Sequence, residues 1–270
     1  MPRRDSDPDF VESIARGFDV LKAFDRSRPA MTLSEVAATA DLARPTARRI
    51  LRTLECLGYV RAANGSFELT PRVLELGVTY VQALGLWDIA RSHLEDLVAQ
   101  THESSSVAQL DGSDIVYVAR VAVPKLITLG VHIGTRFPAV PTSLGKVLLA
   151  GLEPDELEKV LAEPSRAGVT PRWHPERDEL DAVLRQVRAQ GWALTDEQLA
   201  SGIRSVAAPV RDGAGRVVAA VNVTVHAAET SVDTLRGKHL PMLLDTAGRI
   251  SADFALRDSL PHAVARAGRS

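Results

Sequence analysis

Apolar positions recur with helical spacing in the first quarter of the chain, and alternating runs become frequent after it. In "FVESIARGFDVLKAF" (10–24), Ile14, Phe18, Val20 and Leu21 follow a helical period, with Ser13 or Asp9 able to cap the start. "MTLSEVAATADL" (31–42) predicts a short helix with Thr32 as N-cap and Glu35 three residues on, the capping-box spacing. A turn leads into "ARPTARRILRTLECLGYV" (43–60). At about 100° per residue, Arg44, Arg48 and Arg52 share one arc with Arg49 beside it. Ala47, Ile50, Leu51, Leu54 and Leu57 take the other side. "YVRAANGSFELT" (59–70) is then two short runs around Asn64-Gly65, the strongest short-range hairpin signal. A helical period continues through 69–102 with Pro71 at its start. It predicts a connecting helix whose apolar stripe, Trp87 included, is also a candidate dimerisation surface.

The rest of the chain mixes periods. "SSVAQLDGSDIVYVARV" (105–121) predicts a hairpin around Asp111-Gly112, and "KLITLGVHIG" (125–134) a further strand. "SLGKVLLAGLEPDELEKVLAEP" (143–164) and "PERDELDAVLRQVRAQG" (175–191) read as helices, the second stopped by Gly191. "IRSVAAPVRDGAGRVVAAVNVTVHA" (203–227) predicts a long hairpin around Asp212-Gly213, and 230–256 a helix bent at Pro241. The expected class is α+β, with an antiparallel sheet covered on one face by helices.

The order helix, helix–turn–helix, hairpin predicts an N-terminal winged helix-turn-helix. Its arginine helix would enter the major groove of double-stranded DNA, with the hairpin flanking it. The plainer alternative is a solvated arginine face. Net charge does not decide between them, because the formal value is −2. The order of elements does, because the short preceding helix and the Asn-Gly wing come in the correct sequence around a patch, Ala43 to Arg61, of five arginines against one acid, Glu55. Arg44, Thr46, Arg48, Arg49 and Arg52 are therefore candidate contacts to bases and phosphates, and Arg61 in the wing a backbone or minor-groove contact.

Composition narrows the rest. With 45% apolar and 24% charged residues the chain has ordinary globular composition, and no apolar run approaches a membrane span. "MPRRDSDPDF" has no apolar core of a secretory signal, and Cys56 is the single cysteine, so a cytoplasmic protein without a disulfide framework is expected. The seven histidines show no metal-ligand spacing, and no phosphate-binding glycine motif occurs, so neither metal nor cofactor is expected. Ser143-Leu144-Gly145-Lys146 fits S-x-x-K, but none of the five lysines is followed by Thr-Gly, so catalysis by Ser143 and Lys146 stands as an alternative and not as the main reading. A purely oligomerising second domain is the other alternative.

"SIARGFDVLKAF" (13–24), "TLSEVAATADL" (32–42), "LECLGYV" (54–60), "LTPRVLELG" (69–77), "DGSDIVYVARV" (111–121), "GTRFPAVPTSLGKVLLA" (134–150) and "GIRSVAAPVRDGAGRVVAAVNV" (202–223) together resemble the IclR family of bacterial transcription regulators. "RDSDPDFVESIARG" (4–17), "LGLWDIARSHLE" (84–95) and "HESSSVAQLDG" (102–112) are similar to the branch governing protocatechuate and 4-hydroxybenzoate breakdown in the β-ketoadipate pathway. The resemblance implies a DNA-binding domain (1–78), a linker and dimerisation helix (79–101), a GAF-like effector-binding domain (102–258) and a disordered tail (259–270). It also implies a homodimer or tetramer and no catalysis.

In the family, the ligand sits between one face of the effector sheet and the loop opening the helix after a T-S-x-G-K/R motif, here Thr142 to Lys146. Alternation independently sets Val217, Ala219, Val221, Val223 and Val225 on a core face. Val218, Ala220, Asn222 and Thr224 lie opposite, and Ile203, Ser205, Ala207 and Pro209 share a side of the partner strand. That second face suits either water or a ligand. The resemblance favours the ligand and implies Ser143 and Leu144 from the helix-opening loop. It further implies Thr195, Ser205, Asn222 and Thr224 as polar groups, and Leu126, Leu129, Phe137 and Ile203 as apolar walls. Relatives that bind two- or three-carbon acids use an aspartate, a cysteine and serines at such places. The departure here is compatible with an aromatic acid such as protocatechuate or 4-hydroxybenzoate. Backbone N–H groups after Thr142, Arg120 and Arg136 are candidate carboxylate partners.

Overall fold

The computed structural model describes residues 8–25, 27–77, 86–124 and 130–259. The chain divides into two compact units, Met1–Ala83 and Leu84–Ser270.

Unit 1 contains α1 (Glu12–Lys22), β1 (Ala30–Thr32), α2 (Leu33–Thr39), α3 (Arg44–Cys56), β2 (Val60–Ala63) and β3 (Ser66–Leu69). Its three strands are antiparallel in the order β1-β3-β2. Met31 is a strand residue paired with Phe67, so the helix expected over 31–42 begins two residues later, at Leu33. Thr32 and Glu35 form the reciprocal capping box. Asn64 and Gly65 both have positive φ, 51° and 79°, as the tight turn between β2 and β3 requires. Val20, Phe24, Met31, Val36, Leu51, Leu54 and Val60 form the core. Ile14 and Phe18 do not join it: they are 59% and 48% exposed, and with Phe10 just before the helix they leave apolar side chains open along α1. After β3, Thr70 caps a 3-10 turn at Pro71–Val73.

Unit 2 contains α4 (Leu86–Thr101), β4 (Ser104–Asp111), β5 (Asp114–Val121), β6 (Arg136–Pro138), α5 (Ser143–Ala150), α6 (Pro154–Ala162), α7 (Arg177–Gln190), β7 (Ala193–Asp196), β8 (Ile203–Arg211) and β9 (Val217–His226). It closes with α8 (Leu240–Ser259). The six strands form one antiparallel sheet in the order β6-β5-β4-β9-β8-β7. Over its described length, the expected linker helix belongs to this unit's core: Ala90, Leu94 and Leu97 of α4 are buried with Val107, Val206, Val221 and Val223.

Several expectations are corrected. The sheet is covered on both faces. Helices α4 and α8 pack on one, while Leu144, Val147 and Leu148 of α5 and Leu180 and Leu184 of α7 share a core with Ala108, Ile115, Tyr117, Ala207 and Ala220 on the other. The small residues of β4, β8 and β9 let α5 approach closely enough to shut out water. The helix expected over 143–164 is two helices, because Pro154 opens α6 at a first-turn position after a break at Gly151. The strand expected over 125–134 is not seen in its described part: residues 130–134 are loop and turn with Gly134 at φ 87°, and the edge strand lies at Arg136–Pro138. Residues 125–129 lie outside the described residues. Val217 leaves the face of Ala219 and Val221, because a bulge shifts the register between Val210 and Arg211. In place of the bend expected at Pro241, a π-helical turn, Leu235–His239, comes immediately before α8. A wider turn there accommodates a proline that lacks an N–H.

Candidate functional site

Helix α3 carries the first candidate surface. Ala47, Leu51 and Leu54 are buried, and the opposite side exposes Arg44, Arg48, Arg49 and Arg52, with Thr46 half-buried near its start. Arg44, Arg48 and Arg49 form no ion pair among the described residues, while Arg52 pairs with Glu55 at 3.4 Å along the helix. In the wing, Arg61 is exposed and pairs across strands with Glu68 at 2.7 Å. Solvent-exposed pairs of this kind are worth about 1 kcal/mol or less, so both guanidiniums can exchange partners cheaply.

The second candidate is a cavity in unit 2, between the start of α5 and the sheet. Phe137, Ser143, Leu144, Thr195, Ile203, Ser205, Asn222 and Thr224 all line it. Leu126 and Leu129 lie outside the described residues. Tyr117, Pro141, Thr142 and Leu199 complete the lining, and sequence reasoning missed them. The β-register brings the strand residues together: Thr195 pairs with Ser205, which pairs with Thr224. Asn222 pairs with Ser106, and Tyr117 with Ala108, on the same face.

The polar groups satisfy one another. Ser143 Oγ lies 2.6 Å from Ser205 Oγ, and Thr195 Oγ1 lies 3.0 Å from the same atom. Asn222 Oδ1 accepts from Ser106 N at 3.1 Å, and its Nδ2 donates to Thr224 Oγ1 at 2.9 Å. Thr142 Oγ1 accepts the Gly145 N–H, capping α5. Tyr117 and Phe137 meet edge to face, with centroids 6.0 Å apart and planes at 89°. Burial pushes the Tyr117 phenol up to about 12. The free volume is about 20 Å³, room for about one water.

Of the two arginines proposed as counter-ions, Arg136 is already taken: it pairs with Asp111 at 2.6 Å and with buried Asp114 at 3.3 Å. Arg120 meets no carboxylate among the described residues and donates from Nη1 to Ser106 Oγ at 2.9 Å. Lys146 is 2% exposed, but its Nζ donates to Gln198 Oε1 and sits 4.1 Å from the Trp173 ring centroid. Burial pulls its pKa down to about 8, partly opposed by Glu179. Ser143 and Lys146 thus face different partners, and the S-x-x-K spacing does not assemble a nucleophile with its base. A larger depression of about 510 Å³ lies at the other end of α5, rimmed by Arg188, Arg211 and Arg216. These arginines are held by Ala150 O, Gly215 O and Asp212 respectively. The converging hydroxyl and amide groups belong to the smaller cavity.

A winged helix with an arginine face, in one chain with a separate domain enclosing a polar-lined cavity, defines a DNA-binding regulator. Residues 13–63 match the family described as the IclR helix-turn-helix domain, and residues 78–252 that described as the bacterial transcriptional regulator IclR C-terminal. The chain belongs to the IclR family of transcription regulators, and its helix-turn-helix domain binds DNA. It is 37% identical over 239 residues to the Pca regulon regulatory protein of Pseudomonas putida, covering 88% of this chain and 82% of that one. With the p-hydroxybenzoate hydroxylase transcriptional activator of Acinetobacter baylyi it shares 32% identity over 247 residues, 90% and 91% of the two chains. Among solved structures, an IclR homolog from Microbacterium hydrocarbonoxydans complexed with 4-hydroxybenzoate superposes with a TM-score of 0.77 at 26% identity, covering 92% of this chain and 100% of that one. The relatives are regulators and not enzymes. No helix among the described residues is long and apolar enough to cross a membrane.

Proposed function

We propose that this regulator senses an aromatic acid such as 4-hydroxybenzoate or protocatechuate in the cavity of unit 2, and that binding alters its engagement with a double-stranded operator. The observation that carries this reading is the convergence of Ser143, Thr195, Ser205, Asn222 and Thr224 on one enclosed space walled by Tyr117 and Phe137. Aromatic edges suit a flat ring, and hydroxyl and amide groups suit its polar substituents. The solved relative with 4-hydroxybenzoate supports the same ligand class. Leu126 and Leu129 are further proposed walls. Because the cavity's free volume is about 20 Å³, the acid has to displace a wall. The segment carrying Leu199 fits that part, since it is the irregular stretch between β7 and β8.

Arg44, Thr46, Arg48 and Arg49 contact bases and phosphates, Arg52 turns from Glu55 to a phosphate, and Arg61 turns from Glu68 to the DNA backbone or minor groove. The active form is a homodimer or tetramer in the cytoplasm. The open apolar stripe of Phe10, Ile14 and Phe18 supports self-association. A thermal-shift titration of the full chain tests the sensing role. Ligand at 100 times its dissociation constant stabilises by about 2.7 kcal/mol, giving a clear rise in midpoint. Operator affinity should change over the same concentrations. No shift with either acid at millimolar concentration would remove the aromatic-acid reading.

A further inference from the structure

Unit 2 holds two cationic side chains beside its cavity face, buried Lys146 and half-buried Arg120, and their charges are treated differently. Lys146 has an amide oxygen and the face of an indole ring around its ammonium group, with the Glu179 carboxylate favouring its charged form. Arg120 has much less. Its Nη1 bonds one serine hydroxyl, its Nε is buried with no hydrogen-bond partner, and no carboxylate pairs with it among the described residues. Leaving a buried donor unpaired is costly, and burying a guanidinium without a counter-charge is costlier still. The desolvation shows in its pKa, which burial pulls down from the usual arginine value. Arg136, on the neighbouring edge strand, shows the ordinary solution, with two aspartates.

The position of Arg120 is as telling as its isolation. Arg120 of β5 is in register with Ser106 of β4, which is in register with Asn222 of β9. Its side chain therefore rises from the sheet face that carries the cavity-lining Asn222. Two strand spacings separate the Arg120 and Asn222 backbones by about 10 Å, a gap the long arginine side chain largely spans. Hydrogen bonds run along this face from the guanidinium to Ser106, from the Ser106 N–H to Asn222, and from Asn222 to Thr224. The start of α5 offers the competing anion site, but Thr142 already caps its Gly145 N–H.

We infer that Arg120 is the specificity-determining residue that recognises the carboxylate of an anionic effector and makes the cavity prefer acids over neutral analogues of the same shape. A carboxylate beside Arg120 supplies the absent counter-charge and accepts from its unpartnered N–H, a charge-assisted pair stronger than any neutral hydrogen bond in the cavity. The inference rests on the cavity being the effector site.

The test is calorimetric titration of the full chain with 4-hydroxybenzoate and its neutral counterpart 4-hydroxybenzamide. The wild-type protein should prefer the acid by at least about tenfold. Arg120→Gln should weaken the acid by roughly ten- to hundredfold and the amide by much less, collapsing the preference. Arg120→Lys should restore part of it, which guards against a merely structural effect, and the thermal midpoint of each variant reports folding. An unchanged acid-to-amide ratio in Arg120→Gln, or equal loss of both ligands in a folded variant, would overturn the role of Arg120 and return the carboxylate to the start of α5. If the wild-type chain binds neither compound, the effector-site reading itself falls, and this inference with it.

Discussion

On α3, Arg44, Arg48 and Arg49 hold their guanidinium groups in solvent without an ion pair among the described residues, whereas Ser143, Thr195 and Ser205 in unit 2 are buried and bonded to one another. The partners proposed for the two surfaces are opposite in kind. A duplex arrives as dense negative charge and displaces only counter-ions and water, so the protein gains by leaving its cations unpaired. A small ligand must compete with hydrogen bonds already made inside, so each of its polar atoms has to replace a partner of comparable quality. Affinity for DNA should therefore depend steeply on salt, and affinity for the effector on how well each of its few polar atoms replaces the partner it displaces.

Substitutions can break or sharpen this contrast, and the largest effect is expected inside unit 2. A Cβ at Gly145 would lie 2.0 Å from Ala139 O, a backbone atom, so Gly145→Ala must push α5 off the loop before it. The expected cost is on the order of 4 kcal/mol or more, measured as a drop in the unfolding midpoint with loss of effector binding. Next comes Arg48→Ala, expected to weaken operator binding by about 1–3 kcal/mol if it reads a base, and to lower the slope of log affinity against log salt by about 1 if it contacts a phosphate. Anisotropy titrations at several salt concentrations separate these outcomes, and no change in either quantity would exclude α3 as the docking helix.

Ser205→Val should have a smaller effect confined to unit 2. It leaves the Ser143 and Thr195 hydroxyls without their shared partner, at about 1–3 kcal/mol of stability. Effector affinity should fall while the salt slope of DNA binding stays as in the wild type. The effect most gradual in its onset is the pH dependence set by Lys146. Its pKa in the folded protein is about 8, against an ordinary value of 10.5, so between these values the unfolded chain binds more protons than the folded one. Stability from this residue should rise as pH increases from about 8 towards 10.5, and that rise should be absent in Lys146→Met.

The same contrast explains what the sequence made legible. The arginine face of α3 was visible because charge and apolarity alternate within one helix, a purely local signal. Alternation along β8 and β9 also separates Ser205, Asn222 and Thr224 from the valines facing α4 and α8, but it left water and ligand equally open on that face, and only the family resemblance pointed to a ligand. The misses were non-local. Tyr117 lies on the same face, but its membership depends on β4 pairing with β9, more than a hundred residues away, which no local period reports. Leu199 sits in an irregular segment without a period. The Gly151 break and the proline opening α6 were written in the chain, yet a continuous apolar pattern across 143–164 concealed them. The second cover on the sheet followed from small side chains at Ala108, Ala207 and Ala220, whose effect appears only when α5 packs against them.

The tightness of the cavity sets the pace of the proposed response. Under the proposed effector role, an aromatic acid needs more room than the chamber's free volume of about 20 Å³, so its wall has to swing outward, and that motion belongs to the protein. The observed association rate should therefore level off as effector concentration rises, at the rate of wall opening. The fraction of time spent open also scales the apparent affinity, so trimming Leu199 could yield a more sensitive detector without adding a single contact to the ligand.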